Sequence, residues 1–392
     1  MRHILVVGAG VFGVTAALSL RRRGHEVELL DPGPLPHPDA ASTDISKIVR
    51  LDYGADDDTT AWMETALDGW RAWNDTWGET LYHEDGLLVL NHGPMQSGSF
   101  EAECWQLLTQ RGHALERVDA ALLEAEHPDW NTAHYTDGYR NPVGGWAESG
   151  RIVARLIEDA RSAGVVLREG FAMAGLVQDG SRVTGVRDAG GERLDADLVL
   201  VAAGAWTPVL LPWLSDDLVV VGQPVIHLRV DEPARWQAPP FPPYTADISR
   251  SGYYGFPALD DGTLKIARHG PGRRLHPDDP REVSDEEIAH CRSFLAEALP
   301  ALVDAELIGT RLCLYCDTAD DRFWIDHDPE REGLVVAAGG SGHAFKFAPV
   351  LGDLIADVVE GKSNERAATM RWCAREDPSG GDQARARPGS DA

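Results

Sequence analysis

Lysine is nearly missing from this 392-residue chain. It occurs at Lys47, Lys265, Lys346 and Lys362, and arginine supplies the rest of the 36 basic residues. Against 63 acidic residues this leaves a net charge of −27. Nucleic acid and anionic membranes both attract basic surfaces, so neither is expected as a partner. Long uncharged apolar runs are also missing, so no membrane span is expected. The first apolar run begins at His3, which leaves no room for a cleaved leader. Five cysteines, an odd number scattered along the chain, argue against a disulfide framework and suit a reducing compartment. A soluble, cytoplasmic protein is expected, a monomer or small homo-oligomer. No internal repeat occurs, and the length points to two domains.

What is present begins at the N-terminus. His3-Ile4-Leu5-Val6-Val7 is short, apolar and β-branched, as a strand buried on both faces should be. It leads into Gly8-Ala9-Gly10-Val11-Phe12-Gly13, the G-x-G-x-x-G spacing. Gly8 permits a tight turn, Gly10 lets a pyrophosphate approach the backbone, and Gly13 lets the next helix pack closely on the strand. That helix is expected over Val14 to Arg23, ended by Gly24, and a second strand, Glu26 to Leu30, ends at Asp31. Asp31 is the acid such a βαβ unit uses to hold a ribose hydroxyl. A glycine-rich turn without a ligand is the bland alternative.

Residues 40–54 combine small polar residues with Lys47 and Arg50 in an apolar setting, which suits phosphates and an anionic ring system. A plain loop followed by an amphipathic element would look similar. Thr59 to Trp77 carries tryptophans at helical spacing, read as core. Strands are expected at Glu84 to Leu90 and Val165 to Leu167, and helices at Ser99 to Gln110, Ala120 to Glu126 and Arg151 to Ala163. Tyr139 to Trp146 is read as a loop, and a β-meander is expected through Val177, Val183 and Val186. Leu198 to Val201 is a second buried strand, running into Ala202-Ala203-Gly204-Ala205-Trp206, small residues of the kind that pass close beneath a flat cofactor. From Val219 to Arg311 alternation indicates antiparallel strands, with a proline-rich loop at Pro233 to Pro243 and a helix at Asp285 to Ala298. The α/β pattern returns at Gly333 to Gly342 and a helix from Pro349 to Glu360.

The order of these motifs, together with Tyr253-Tyr254-Gly255-Phe256-Pro257, Leu264-Lys265, Cys313-Leu314-Tyr315 and Ser341-Gly342-His343-Ala344-Phe345-Lys346-Phe347, resembles the flavin-dependent secondary-amine oxidases of the D-amino-acid oxidase superfamily. That branch holds monomeric sarcosine oxidase, N-methyltryptophan oxidase and the fructosyl-amino-acid oxidases, or amadoriases. The resemblance extends to about residue 373. It implies FAD, joined through a thioether to Cys313, and the cofactor-binding positions Gly8, Gly10, Val11, Phe12, Gly13, Asp31, Ser42, Thr43, Lys47, Ala172, Ala203, Gly204, Trp206, Gly340, Gly342, His343 and Lys346. Read alone, Cys313 and Cys316 could also be a redox pair or two core thiols. A zinc site would need a second C-x-x-C, which is missing; no metal is expected.

The resemblance further implies that Lys265 promotes the reaction with oxygen and that Arg50 and Lys346 bind a substrate carboxylate. Tyr254, Tyr315 and His269 match pocket-lining positions. Lys47, where the sarcosine oxidases have arginine, and Cys316-Asp317-Thr318 lean toward the fructosyl-amino-acid oxidases. The expected fold is α/β plus antiparallel β: a split FAD-binding Rossmann-like domain (1–85, 145–220, 312–373) with an inserted mixed-sheet substrate domain (86–144, 221–311) and a disordered tail (374–392). The expected reaction oxidises a carboxylate-bearing secondary amine, a fructosyl amino acid (Amadori compound), with oxygen, giving an imine and hydrogen peroxide. N-methyl amino acids, cyclic imino acids and an NAD(P)-dependent reductase are the alternatives.

Overall fold

The computed structural model describes residues 1–372 and 384–386. The fold is mixed α/β with several sheets, in two compact units. Among the described residues one unit comprises 1–45, 148–220 and 314–372, and the other 46–147, 221–313 and 384–386.

In the first unit, β1 (His3–Val7) runs parallel to β2 (Glu26–Asp31) on one side and to Leu198–Val201 on the other. The sheet continues through Leu334–Ala338 to Trp324–His327 at one edge and Val166–Glu169 at the other. Ile4, Leu5 and Val6 are wholly buried, which is why this strand has no polar face. Helix α1 (Val11–Arg22) starts three residues before the expected position, because Gly10 already serves as its N-cap. Gly352 of the helix Ala348–Glu360 allows close packing there: a Cβ on it would stand 2.4 Å from the Thr15 carbonyl oxygen. The expected meander is the antiparallel sheet Met173–Asp179, Arg182–Asp188 and Arg193–Asp195.

The second unit is built on a large sheet ordered Arg273–Arg274, Val219–Arg229, Thr263–Arg268, Tyr253–Gly255, Tyr244–Ala246, Leu87–His92, Tyr135–Asn141 and Glu116–Arg117, with Glu306–Asp317 also pairing Val219–Arg229. Tyr244–Ala246 runs parallel to Leu87–His92, so this sheet is mixed. Residues 46–85 group with this unit. The reason is β3 (Lys47–Val49), which pairs with Gly145–Ala147, itself paired with Tyr82–His83. The stretch Tyr139 to Trp146, read as a loop, belongs largely to the strands Tyr135–Asn141 and Gly145–Ala147; its glycines sit at φ +107 and +154 and continue the chain between them. Helix α2 (Asp57–Trp77) is capped by the Asp56 carboxylate and ends at Gly78, φ 63. Trp62 and Trp70 are core as expected, whereas Trp73 and Trp77 are half-buried and lie against each other, ring centroids 5.2 Å apart.

No helix among the described residues is long and apolar enough to cross a membrane. The tail expectation for 374–392 falls outside the described residues except at 384–386. There Ala384 is buried with Leu87, Phe100 and Cys104, and the Ala386 amide donates to the His269 carbonyl at 3.1 Å.

Candidate cofactor and active site

The first unit supplies a phosphate-binding cradle. Gly8 has φ +101 and donates its amide to the Leu30 carbonyl at 2.8 Å; a Cβ on it would stand 2.5 Å from the Ala202 carbonyl oxygen. A Cβ on Gly13 would stand 1.8 Å from the Gly8 carbonyl oxygen, so only glycine brings α1 this close to the turn. No acid occupies the first turn of α1, and its N-cap, Gly10, has no side chain to cap it, so the positive end of the helix suits an anion. Ser42 is buried and accepts the Val11 amide at 3.2 Å. Thr43 instead turns its hydroxyl to the His37 carbonyl, 2.6 Å away.

Asp31 accepts the Ala9 amide at 2.9 Å and the Gly33 amide at 3.1 Å. Burial raises its carboxyl above the ordinary range, and the two amides act against that rise. Each carboxylate oxygen keeps a second acceptor position, as a ribose hydroxyl requires. Ala172 is exposed beside Phe171, whose amide donates to the Asp31 carbonyl at 3.1 Å. Ala203 leads into the 3-10 turn Gly204–Trp206, where the Trp206 and His37 rings are 5.8 Å apart.

The C-terminal motif folds as a tight turn in the same unit. Gly342 has φ +77, and a Cβ on it would stand 2.1 Å from the Tyr315 ring, so the glycine makes room for that tyrosine. Gly340 similarly faces Phe12, 3.3 Å from a built Cβ. His343 is engaged with the Asp321 carbonyl at 2.8 Å. Lys346 is buried in the turn Ala344–Phe347 between Phe345 and Phe347. These residues fit a dinucleotide cofactor: glycines at the close approaches, a helix N-terminus with no acid in its first turn, and a buried acid with acceptor capacity left.

The second unit gathers the other candidates. Lys265, on Thr263–Arg268, is 1% exposed; its ammonium donates to the Ser46 carbonyl at 2.5 Å and lies 4.7 Å from the Phe256 ring centroid. One residue on, Lys47 places its ammonium 3.9 Å from the Cys313 sulfur. Positions 313 and 316 of a strand face opposite ways. Cys316 accordingly joins the core around Trp324 and Val336, where burial pushes its thiol up to about 12. Both cysteines are free thiols. Arg50 is buried, its guanidinium 5.0 Å from the Tyr53 ring centroid and 5.7 Å from that of Phe100. Phe100 belongs to a cluster on which Ile48 and Tyr254 also pack, and Tyr254 meets Phe256 edge to face at 5.8 Å. The second unit therefore links Arg50, Tyr254, Lys265, Lys47 and Cys313 through successive contacts. His269 is buried, and its amide donates to the Gly252 carbonyl at 2.7 Å.

A group of buried acids near Arg50 was not legible as functional. Asp52 accepts the Tyr139 hydroxyl at 2.5 Å. Burial raises its carboxyl, against the lowering effects of Tyr139 and Arg50. Glu101, 1% exposed, accepts the Ser249 hydroxyl at 3.2 Å, and burial pushes it up to about 7. The only signal in the sequence was Asp52 standing two residues beyond Arg50.

A parallel βαβ cradle with a buried acid at the end of β2, and a second unit with a buried lysine and a buried arginine, define a dinucleotide-dependent oxidoreductase. The chain belongs to the FAD dependent oxidoreductase family (DAO), whose model matches residues 3–358. This agrees with the resemblance drawn from its motifs and removes the NAD(P)-reductase alternative. Relatives include monomeric sarcosine oxidase from Bacillus sp. (strain B-0618), 27% identical over 366 residues, covering 91% of each chain. N-methyl-L-tryptophan oxidase from Citrobacter koseri is 28% identical over 378 residues, covering 92% of this chain and 95% of that one. Among solved structures, fructosyl amine:oxygen oxidoreductase (Amadoriase I) from Aspergillus fumigatus matches with a TM-score of 0.81 at 25% identity, covering 95% of this chain and 89% of that one.

Proposed function

We infer that this enzyme oxidises secondary amines bearing a carboxylate, with FAD as cofactor and oxygen as acceptor, and that its preferred substrates are fructosyl amino acids. The observation that carries the reading is Lys265, one of four lysines in a strongly acidic chain, wholly buried and held by a backbone carbonyl. A fixed cation away from water stabilises the negative charge that grows on oxygen as it is reduced. An enzyme passing electrons to another acceptor has no such need.

Bound FAD would supply the redox chemistry, taking a hydride from the carbon beside the amine and returning the electrons to oxygen as hydrogen peroxide. The first unit would serve as the FAD-binding domain, with Gly8, Gly10, Gly13, Asp31 and Ser42 at the nucleotide, and Cys313 would carry the thioether. Arg50 offers a planar fork for the substrate carboxylate and Lys346 a point charge. Tyr254, Tyr315 and His269 would line the pocket. An amine bound in its neutral form needs no protein base, and the imine hydrolyses in water.

Fructosyl specificity rests on Lys47-Ile48-Val49-Arg50, on Cys316-Asp317-Thr318 and on the likeness to Amadoriase I. A second reading, N-methyl amino acids, is favoured by the sarcosine and N-methyltryptophan oxidases among the relatives. The test is peroxide release from the purified protein with fructosyl-glycine, fructosyl-valine, sarcosine, N-methyltryptophan and pipecolate. Turnover of a fructosyl amino acid at the highest kcat/KM supports the first reading. Activity confined to methylated or cyclic amines replaces it.

A further inference from the structure

We propose that His92, His134 and Glu297, on the second unit, form a binding site for one divalent transition-metal cation of the zinc type. His92 Nε2 and His134 Nδ1 are 3.2 Å apart, and Glu297 Oε1 lies 3.7 Å from the first and 3.6 Å from the second. Zinc binds imidazole nitrogen and carboxylate oxygen at about 2.0–2.2 Å in tetrahedral geometry, which sets neighbouring donors about 3.3–3.6 Å apart. The three separations lie close to that spacing, the two imidazoles now sharing a hydrogen bond that a cation would replace, and a fourth position would fall to water. The carboxylate oxygen is beyond hydrogen-bond length from both imidazoles. Two imidazole donors favour zinc, copper or nickel over calcium and magnesium, which select oxygen.

The three donors stand on separate elements that main-chain bonds hold together. The Gly93 amide donates to the His134 carbonyl at 3.2 Å, and the Asn131 amide donates to the Ala298 carbonyl at 3.0 Å. The Asn131 side chain donates to the Glu297 carbonyl at 2.8 Å. His92 follows a register irregularity at Asn91/His92 in the pairing of Leu87–His92 with Tyr135–Asn141, the kind of bulge that re-aims a side chain. Tyr135 packs edge to face on the His92 ring at 6.2 Å. The donors converge without any loop having to rearrange, and they remain partly exposed, so an ion can reach them.

The test uses the full-length enzyme as purified, stripped with a chelator and titrated calorimetrically with zinc chloride, then with calcium and magnesium chloride. One equivalent of zinc should bind, and calcium and magnesium should not compete. His92→Ala, His134→Ala and Glu297→Gln should each weaken zinc on the order of tenfold or more, since even partners of metal ligands contribute that much. Cobalt(II) should show d–d bands at wavelengths beyond the flavin absorption, lost in the His92→Ala/His134→Ala double variant. Circular dichroism identifies any variant that fails to fold, and Glu297→Gln, which keeps the side-chain shape, then stands for the site. No saturable zinc binding by the wild type, or the same binding by folded variants, overturns the proposal.

Discussion

Replacing Glu101 by glutamine should make the protein more stable at alkaline pH, although it removes a buried and hydrogen-bonded side chain. Burial raises the Glu101 carboxyl from its ordinary 4.5 to about 7, with the nearby Asp247 adding to the rise and Ser249 opposing it. In the unfolded chain the same carboxyl loses its proton near its ordinary value. Between those limits the folded state holds a proton that the unfolded state has released, so stability falls as pH rises from 4.5 to about 7. Above that window the folded state carries the whole penalty. At about 1.4 kcal/mol for each tenfold change in proton affinity, the penalty is about 3 kcal/mol. Glutamine keeps the shape and the acceptor for Ser249 but never ionises. Urea unfolding followed by tryptophan fluorescence, run on both proteins at about pH 8.5 and about pH 4.5, should show the gap open at the higher value and nearly closed at the lower. A gap that does not change with pH, or a variant less stable than wild type at the alkaline end, would refute the reasoning.

Three further outcomes are expected. Lys265→Met should slow reoxidation by oxygen on the order of 10²-fold or more while reduction by amine changes little, as read by stopped-flow absorbance of the flavin; equal effects on both half-reactions would remove the lysine from its role. Cys313→Ala should release yellow flavin into the supernatant on acid precipitation, and flavin that still precipitates with the variant would place the link elsewhere. Gly13→Ala forces a Cβ to within 1.8 Å of the Gly8 carbonyl oxygen, so α1 must lift away from the turn. FAD content after purification should fall well below that of the wild type, and full occupancy would show that the cradle tolerates the shift.

The parts of the fold that could be read from the chain are those whose causes are local. β1, the glycine turn, α1, β2 and Asp31 follow one another within thirty-one residues, and each glycine has its own steric reason. The helix Asp285–Ala298 has the bounds expected for it, and its start has a local cause, the capping box of Ser284 and Glu287. Residues 46–85 were not legible in the same way. Their place in the second unit depends on β3 pairing with Gly145–Ala147, about a hundred residues on, and nothing near Lys47 announces that partner. The same limit applied within the site. Lys265 could be singled out because lysine is scarce and this one stands between apolar neighbours, and Arg50 because the motif around it resembles the family's. Glu101, Asp52 and Tyr139 come from three separate elements and look like ordinary surface or core residues until folding brings them together. His92, His134 and Glu297 have no ligand-like spacing at all along the chain.

The scarcity of lysine also makes the molecule unusually easy to attach. Lys265 and Lys346 are buried and Lys47 is half-buried, so among the lysines amine-reactive reagents meet chiefly Lys362, with 58% of its side chain exposed. It lies in the first unit. Coupling to an activated electrode or bead would therefore fasten the molecule chiefly through that unit, leaving Lys265 and Arg50 untouched by the chemistry.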